Sequence, residues 1–170
     1  MIQTRHLTFS VLIVLTFSFL SCSSNDKSEK TETPIQQYIK NISAASLYDP
    51  LQQKGFKVDK QIGGDAIFVD CDKTTSASNE HVRIAGDEPS KIVEIRASYS
   101  NYSKGKTNEL AKPFLGFIAT LPYENSDPEQ AKKWVEENIS KNSTTNINGV
   151  TFEIIGTSKN LRTLLITPTK

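Results

Sequence analysis

The stretch 81–100, HVRIAGDEPSKIVEIRASYS, decides the fold. Val82 and Ile84 alternate with His81, Arg83 and Ala85, and further on Val93, Ile95, Ala97 and Tyr99 alternate with Glu94, Arg96 and Ser98. Apolar residues at every second position, with polar partners between them, describe antiparallel strands with one face on a core and one in water. Gly86-Asp87-Glu88-Pro89 has turn chemistry and joins the two runs into a hairpin.

Working outward, Ala66 to Val69 is a short apolar strand entered from a turn at Gly63-Gly64-Asp65. After the hairpin, residues 100–108 are polar and loop-like, and the period then changes. Leu110, Phe114, Phe117, Ile118 and Leu121 recur at helical spacing, with Pro113 near the start of that helix and Pro122 at its end. Asp127-Pro128-Glu129-Gln130 has the capping-box pattern of a second helix, whose apolar face is Ala131, Trp134, Val135 and Ile139. Asn148-Gly149 opens a last pair of strands. Val150, Phe152 and Ile154 alternate, residues 156–160 turn the chain, and Leu164 and Ile166 alternate up to Pro168.

At the other end, Thr33-Pro34-Ile35-Gln36 reads as a helix start, with Ile35, Tyr38, Ile39 and Ile42 as its stripe. A short helix is expected from Asp49-Pro50 to Gly55, where a left-handed cap needs no Cβ. The segregated order predicts an α+β domain over residues 34–170, with an antiparallel sheet of about five to six strands and helices packed on one face. Asp49-Pro50 and Asp127-Pro128 each introduce a helix followed by strands, a faint internal echo.

The first residues belong to a different kind of sequence. Arg5 and His6 precede Leu7 to Leu20, which contain only apolar residues plus Thr and Ser. A basic start, an apolar centre and a small-residue end are the layout of a secretory signal peptide, and the run is short of the roughly 20 residues a spanning helix needs. Phe19-Leu20-Ser21-Cys22 resembles the lipobox of bacterial lipoproteins, with Phe19 standing where the family usually has Leu. That resemblance implies removal of residues 1–21, a lipid on Cys22, and a new amino terminus there. Ser23, rather than Asp, follows the Cys, which by the same resemblance favours the outer over the inner membrane. Residues 23–33, SSNDKSEKTET, contain no apolar residue and read as a disordered polar tether.

Removing residues 1–21 leaves 149 of the 170 residues, and it lowers Lys+Arg from 20 to 19, equal to Asp+Glu. A formally neutral domain has no electrostatic attraction for nucleic acid. Cys71 is then the only thiol not carrying lipid, and burial as a small hydrophobe is its expected state.

Chemistry-bearing patterns are scarce. A Ser or Cys nucleophile needs a base, and after residue 21 the one His is His81, read as a solvated strand residue. Asp65, Asp70, Asp72, Glu80 and His81 lack the spacing of a zinc or calcium motif, so no metal and no cofactor beyond the lipid on Cys22 is expected. No catalytic residue stands out. The candidate binding surface is aromatic: Tyr99 and Tyr102 flank the polar loop, Tyr123 lies between two helices, and Tyr102 is the most exposed of the three. Trp134 falls on the helical stripe and belongs to the core. The expected function is a non-catalytic, lipid-anchored domain of the bacterial cell envelope whose partner is an envelope protein or a glycan. The alternatives are an inhibitor or immunity-type module using loop 99–108, and an envelope hydrolase with a carboxylate pair.

Overall fold

The computed structural model describes residues 37–170, the side chain of Thr157 excepted. The signal peptide, Cys22 and the tether lie outside the described residues. Ten elements follow: α1 (Ala44–Gln53), β1 (Lys57–Gly63), β2 (Ala66–Thr74), β3 (Ser78–Glu88), β4 (Lys91–Asn101), α2 (Thr107–Ala119), α3 (Pro128–Asn138), β5 (Ser143–Ile147), β6 (Val150–Ser158) and β7 (Leu161–Pro168).

The strands form one antiparallel sheet in the order β1-β2-β3-β4-β7-β6-β5. Two meanders, β1 to β4 and β5 to β7, meet where β4 pairs β7, from Ile95 opposite Ile166 to Ser100 opposite Leu161. The domain is therefore α+β, with seven strands where the sequence suggested five to six. The two unforeseen strands are the sheet's edges. β1 is exposed at every position except Val58, and β5 buries only Ile147 fully, so neither carries the alternation that identifies a half-buried strand. Their membership comes from backbone pairing with β2 and β6, which leaves no signature in side-chain polarity.

The inner strands alternate as expected. Ile67, Val69 and Cys71 of β2, Val82 and Ile84 of β3, Ile95, Ala97 and Tyr99 of β4, Phe152 and Ile154 of β6, and Leu164 and Ile166 of β7 are buried. They share one cluster with Leu47 and Leu51 of α1, Leu115 and Ile118 of α2, and Val135 of α3.

The phase breaks once, at the open end of the central hairpin. Ala85 faces Glu94, but its neighbour Gly86 faces Ile92, so Val93 is an extra residue on β4; Gly86 and Glu88 face Ile92 and Lys91, making Asp87 an extra residue on β3. Ile92 is therefore buried in place of the expected Val93. The strand β3 runs through Gly86 to Glu88, and the turn lies at Pro89-Ser90 rather than at 86–89. Gly86 is required by close approach: a Cβ there would overlap the Lys91 carbonyl oxygen and lie 3.0 Å from its carbon.

The helices also shift. Residues 37–42 are not helical; Asn41 takes φ 55, and the Ile39 and Ala44 amides donate to the Ile92 and Pro89 carbonyls, both at 2.8 Å. The helix expected from Asp49-Pro50 begins earlier, because Ser43 caps it by a reciprocal box with Ser46, and Pro50 lies inside it. It ends as expected, with Gly55 at φ 86. In α2, Pro113 is the seventh residue rather than near the start, and the buried stripe is Ala111, Phe114, Leu115 and Ile118, leaving Leu110 exposed. The cap of α3 is Asp127, which accepts from the Gln130 amide at 3.0 Å. Asn148 and Gly149, at φ 49 and 86, form a two-residue turn between β5 and β6, the primed type that matches strand twist.

Candidate functional site

The register of β2, β3 and β4 assembles a strip of polar side chains on the face opposite the buried positions. Asp70 faces Arg83 and Asp72 faces His81; Arg83 in turn faces Arg96, and Ala85 faces both Phe68 and Glu94. Asp70 accepts two bonds from Arg83, from Nε at 2.8 Å and Nη2 at 2.9 Å. This bidentate pair is the main reason the Asp70 carboxyl is held below its usual range, and it raises Arg83. His81 Nδ1 lies 2.8 Å from Asp72 Oδ1, and its Nε2 lies 3.5 Å from Asp70 Oδ1. Arg96 Nε donates to Glu94 Oε1 at 3.0 Å. His81 is thus half-buried and engaged by two carboxylates, not the freely solvated residue that strand alternation suggests.

Two directly opposed cations, Arg83 and Arg96, would repel across the strands. Each is instead tied to its own carboxylate, so two ion pairs lie side by side, next to the His81–Asp72 hydrogen bond. A depression of about 480 Å³ opens among Phe68, His81, Arg83, Ala85, Val93, Glu94 and Arg96. The bulge makes it: by inserting one residue it turns Val93 and Glu94 to the same side, and bulges of this kind re-aim side chains. Phe68, at 41% exposure, is a large apolar side chain left in contact with water.

The three tyrosines do not form one surface. Tyr99 is buried in the core at 5% exposure. Tyr123 is equally buried; its hydroxyl donates to the Ile147 carbonyl at 3.1 Å, and burial raises its pKa. Only Tyr102, 61% exposed, is presented to solvent. Its loop is held from within by Asn101, whose side-chain oxygen accepts from the Ser103 amide at 3.0 Å and hydroxyl at 2.8 Å. The Asn101 amide group donates to Thr107 Oγ1 and to the Gly105 carbonyl, and the Tyr102 backbone N–H donates to Ala77. Trp134 packs against the core with its ring 6.5 Å from Phe152.

Other features have structural explanations. Cys71 is buried and unpaired, and burial pushes its thiol up to about 11, which keeps it protonated and poorly nucleophilic. Among the described residues no group of three or more His, Cys, Asp or Glu side chains is arranged to hold a metal ion. The carboxylates of the strip each contact a cation rather than one another across a cleft. A narrower apolar cleft of about 200 Å³ lies between α1 and α2, over Val82 and Ile95. A further depression of about 520 Å³ is lined by Gln37, Tyr38, Lys40, Tyr123 and Glu124 among others.

The chain matches no protein-family model, no curated protein and no solved structure.

Sequence reasoning singled out Tyr102 but missed Phe68, Arg83, Glu94 and Arg96 as a group. The polar phase of Arg83, Glu94 and Arg96 on their strands was legible. The register that aligns them, and the bulge that adds Val93, were not.

Proposed function

We propose that the chain is a membrane-tethered, non-catalytic binding domain of a bacterial cell envelope. In this reading Cys22 carries the lipid, residues 22–33 are the tether, and the outer membrane is favoured over the inner. The helices cover one face of the sheet, and the opposite face is the one that meets a partner, an envelope protein or a glycan. The observation that supports binding most strongly is the fixed geometry of that face. Asp70–Arg83, Asp72–His81 and Glu94–Arg96 hold one another in place around a depression before any ligand arrives. Pre-organised polar groups lose little conformational entropy on binding. Turnover receives no such support, since the one His and one thiol among the described residues are tied to carboxylates and buried, respectively.

The anchor rests on residues 7–22, Leu7 to Cys22. Two or three acyl chains on one cysteine, each contributing about 0.8 kcal/mol per buried CH₂, would hold the chain on a bilayer almost permanently. Intact-mass analysis of the protein purified from its envelope tests this. The expected amino terminus is a lipid-bearing Cys22, with membrane association lost in Cys22→Ser; an unacylated terminus elsewhere contradicts the reading.

A second reading, the inhibitor or immunity-type module, is favoured by the Tyr102 loop. Asn101 holds this loop in one conformation and leaves an aromatic side chain at its head. Under that reading Tyr102→Ala abolishes binding of a target enzyme while the fold is kept.

A further inference from the structure

We propose that the depression at Phe68, Arg83, Ala85, Val93, Glu94 and Arg96 binds a neutral oligosaccharide, an inference that rests on the open sheet face being the binding face.

Charge selects the ligand class first. Arg83, Arg96 and His81 stand against Asp70, Asp72 and Glu94, paired one to one. With His81 protonated the strip is balanced, and with His81 neutral it carries one net negative charge. Neither state gives the strip the net positive charge that attracts a polyanion, and each guanidinium is already neutralised by its own carboxylate. The ligand that suits this surface carries no ionised group.

Unused hydrogen-bonding atoms select it second. Among the described residues, the two terminal nitrogens of Arg96, Arg83 Nη1, Glu94 Oε2 and Asp72 Oδ2 make no hydrogen bond. These are donors and acceptors interleaved over a few ångströms. A hydroxyl group is at once donor and acceptor, so a polyhydroxylated ring satisfies both kinds of atom, whereas a simple amine or carboxylate satisfies one. The ion pairs fix where those atoms point, which makes bonds to them charge-assisted as well as pre-aimed.

Shape selects it third. Phe68 offers a rigid apolar plane beside the polar atoms, and Ala85, the smallest side chain in the row, floors the space between Phe68 and Glu94. A sugar ring has this same division, with C–H groups on its faces and hydroxyls on its rim. Neighbouring strands lie roughly 4.8 Å apart, so successive rows repeat at about the length of one pyranose unit. The volume of about 480 Å³ falls within the range of roughly 300–1,000 Å³ for small-ligand sites. The strip is also wide open, as a chain passing across a sheet requires.

The experiment uses residues 22–170 with Cys22→Ser, which leaves intact a compact unit over Ile35–Lys170 with its own core. The protein, ¹⁵N-labelled, is titrated separately with chitotetraose, cellotetraose and heparin. The expected result is saturable amide shifts confined to residues 68, 83, 85 and 93–96 with at least one neutral sugar. Phe68→Ala and Arg96→Ala, both at exposed positions, should each weaken that binding at least tenfold while the remaining spectrum is preserved. Stronger binding of heparin overturns the neutral class. Sugar-induced shifts confined to the Tyr102 loop overturn both this inference and the open-face reading. No shift with any sugar overturns the glycan inference; the open-face reading survives that result if the same residues broaden on adding detergent-solubilised envelope proteins, and falls with it if they do not.

Discussion

At Gly86 a single hydrogen atom permits the arrangement on which the candidate site depends. The carbonyl of Lys91 crosses so close that any Cβ must displace backbone, and the displaced backbone is the bulge that presents Val93 and Glu94. Gly86→Ala is therefore expected to cost about 3 kcal/mol, at the overpacking end of the usual range. Denaturant unfolding measures it, and a loss below about 1 kcal/mol would mean that the hairpin end is not so constrained. Asp70 belongs to the same scale. Its pKa is depressed chiefly by the bond from Arg83, so the pair stabilises the fold above the unfolded carboxylate value near 4 and is lost as pH falls through the lower folded value. Because Arg83 is half exposed, solvent screening limits the effect to about 1 kcal/mol. Asp70→Asn should then be less stable than wild type by about that amount at pH 7. The difference should shrink towards zero by about pH 2, followed as unfolding midpoints across pH.

At the level of elements, the helices show how far local pattern carries. The apolar spacing of residues 110–121 placed α2 correctly but rotated its face. Small residues hid the true stripe: Ala111, Gly116 and Ala119 are buried in α2, and they carry too little hydrophobic weight to mark a phase. Gly116 gives a test of that packing. A Cβ there would meet only the Lys132 Cγ at 3.5 Å and Glu136 Oε1 at 3.7 Å, ordinary contacts with flexible side chains of α3. Gly116→Ala should stabilise the protein by about 0.5–1 kcal/mol through helix propensity alone, readable as a higher thermal midpoint. A destabilised variant would show that α2 and α3 approach more closely than these distances. The hairpin 81–100 was legible because both strands bury one face in the core and leave the other to water, and so alternate. β1 and β5 were not, since an edge strand is specified by unpaired backbone groups on the strand beside it. Residues 37–42 are not helical for a related reason: Tyr38, Ile39 and Ile42 suit a helical stripe, but the Ile39 amide donates to the Ile92 carbonyl and the Tyr38 hydroxyl to Asp87, long-range bonds that hold the segment against the hairpin instead.

For the molecule as a whole, the fold class followed from the order of periods, while the site depended on which residues of three strands stand opposite one another. Asp70 to Arg83 spans thirteen positions, and Phe68 and Glu94 are brought together only by each facing Ala85; no local pattern reports such pairings. The aromatic criterion found Tyr102 and also Tyr99 and Tyr123, which the core absorbs, because composition alone cannot distinguish an amphipathic ring that is packed from one that is presented. Two surfaces now compete as the binding face of a lipid-held domain: the ion-paired strip and the Tyr102 loop. Detergent extraction of whole envelopes separates them, since detergent dissolves the lipid anchor and leaves only the domain's own contacts. Wild type and Tyr102→Ala are expected to remain with the detergent-insoluble envelope, and Phe68→Ala combined with Arg96→Ala is expected to pass into the soluble phase. Release of all three proteins alike, or of Tyr102→Ala alone, would contradict the account.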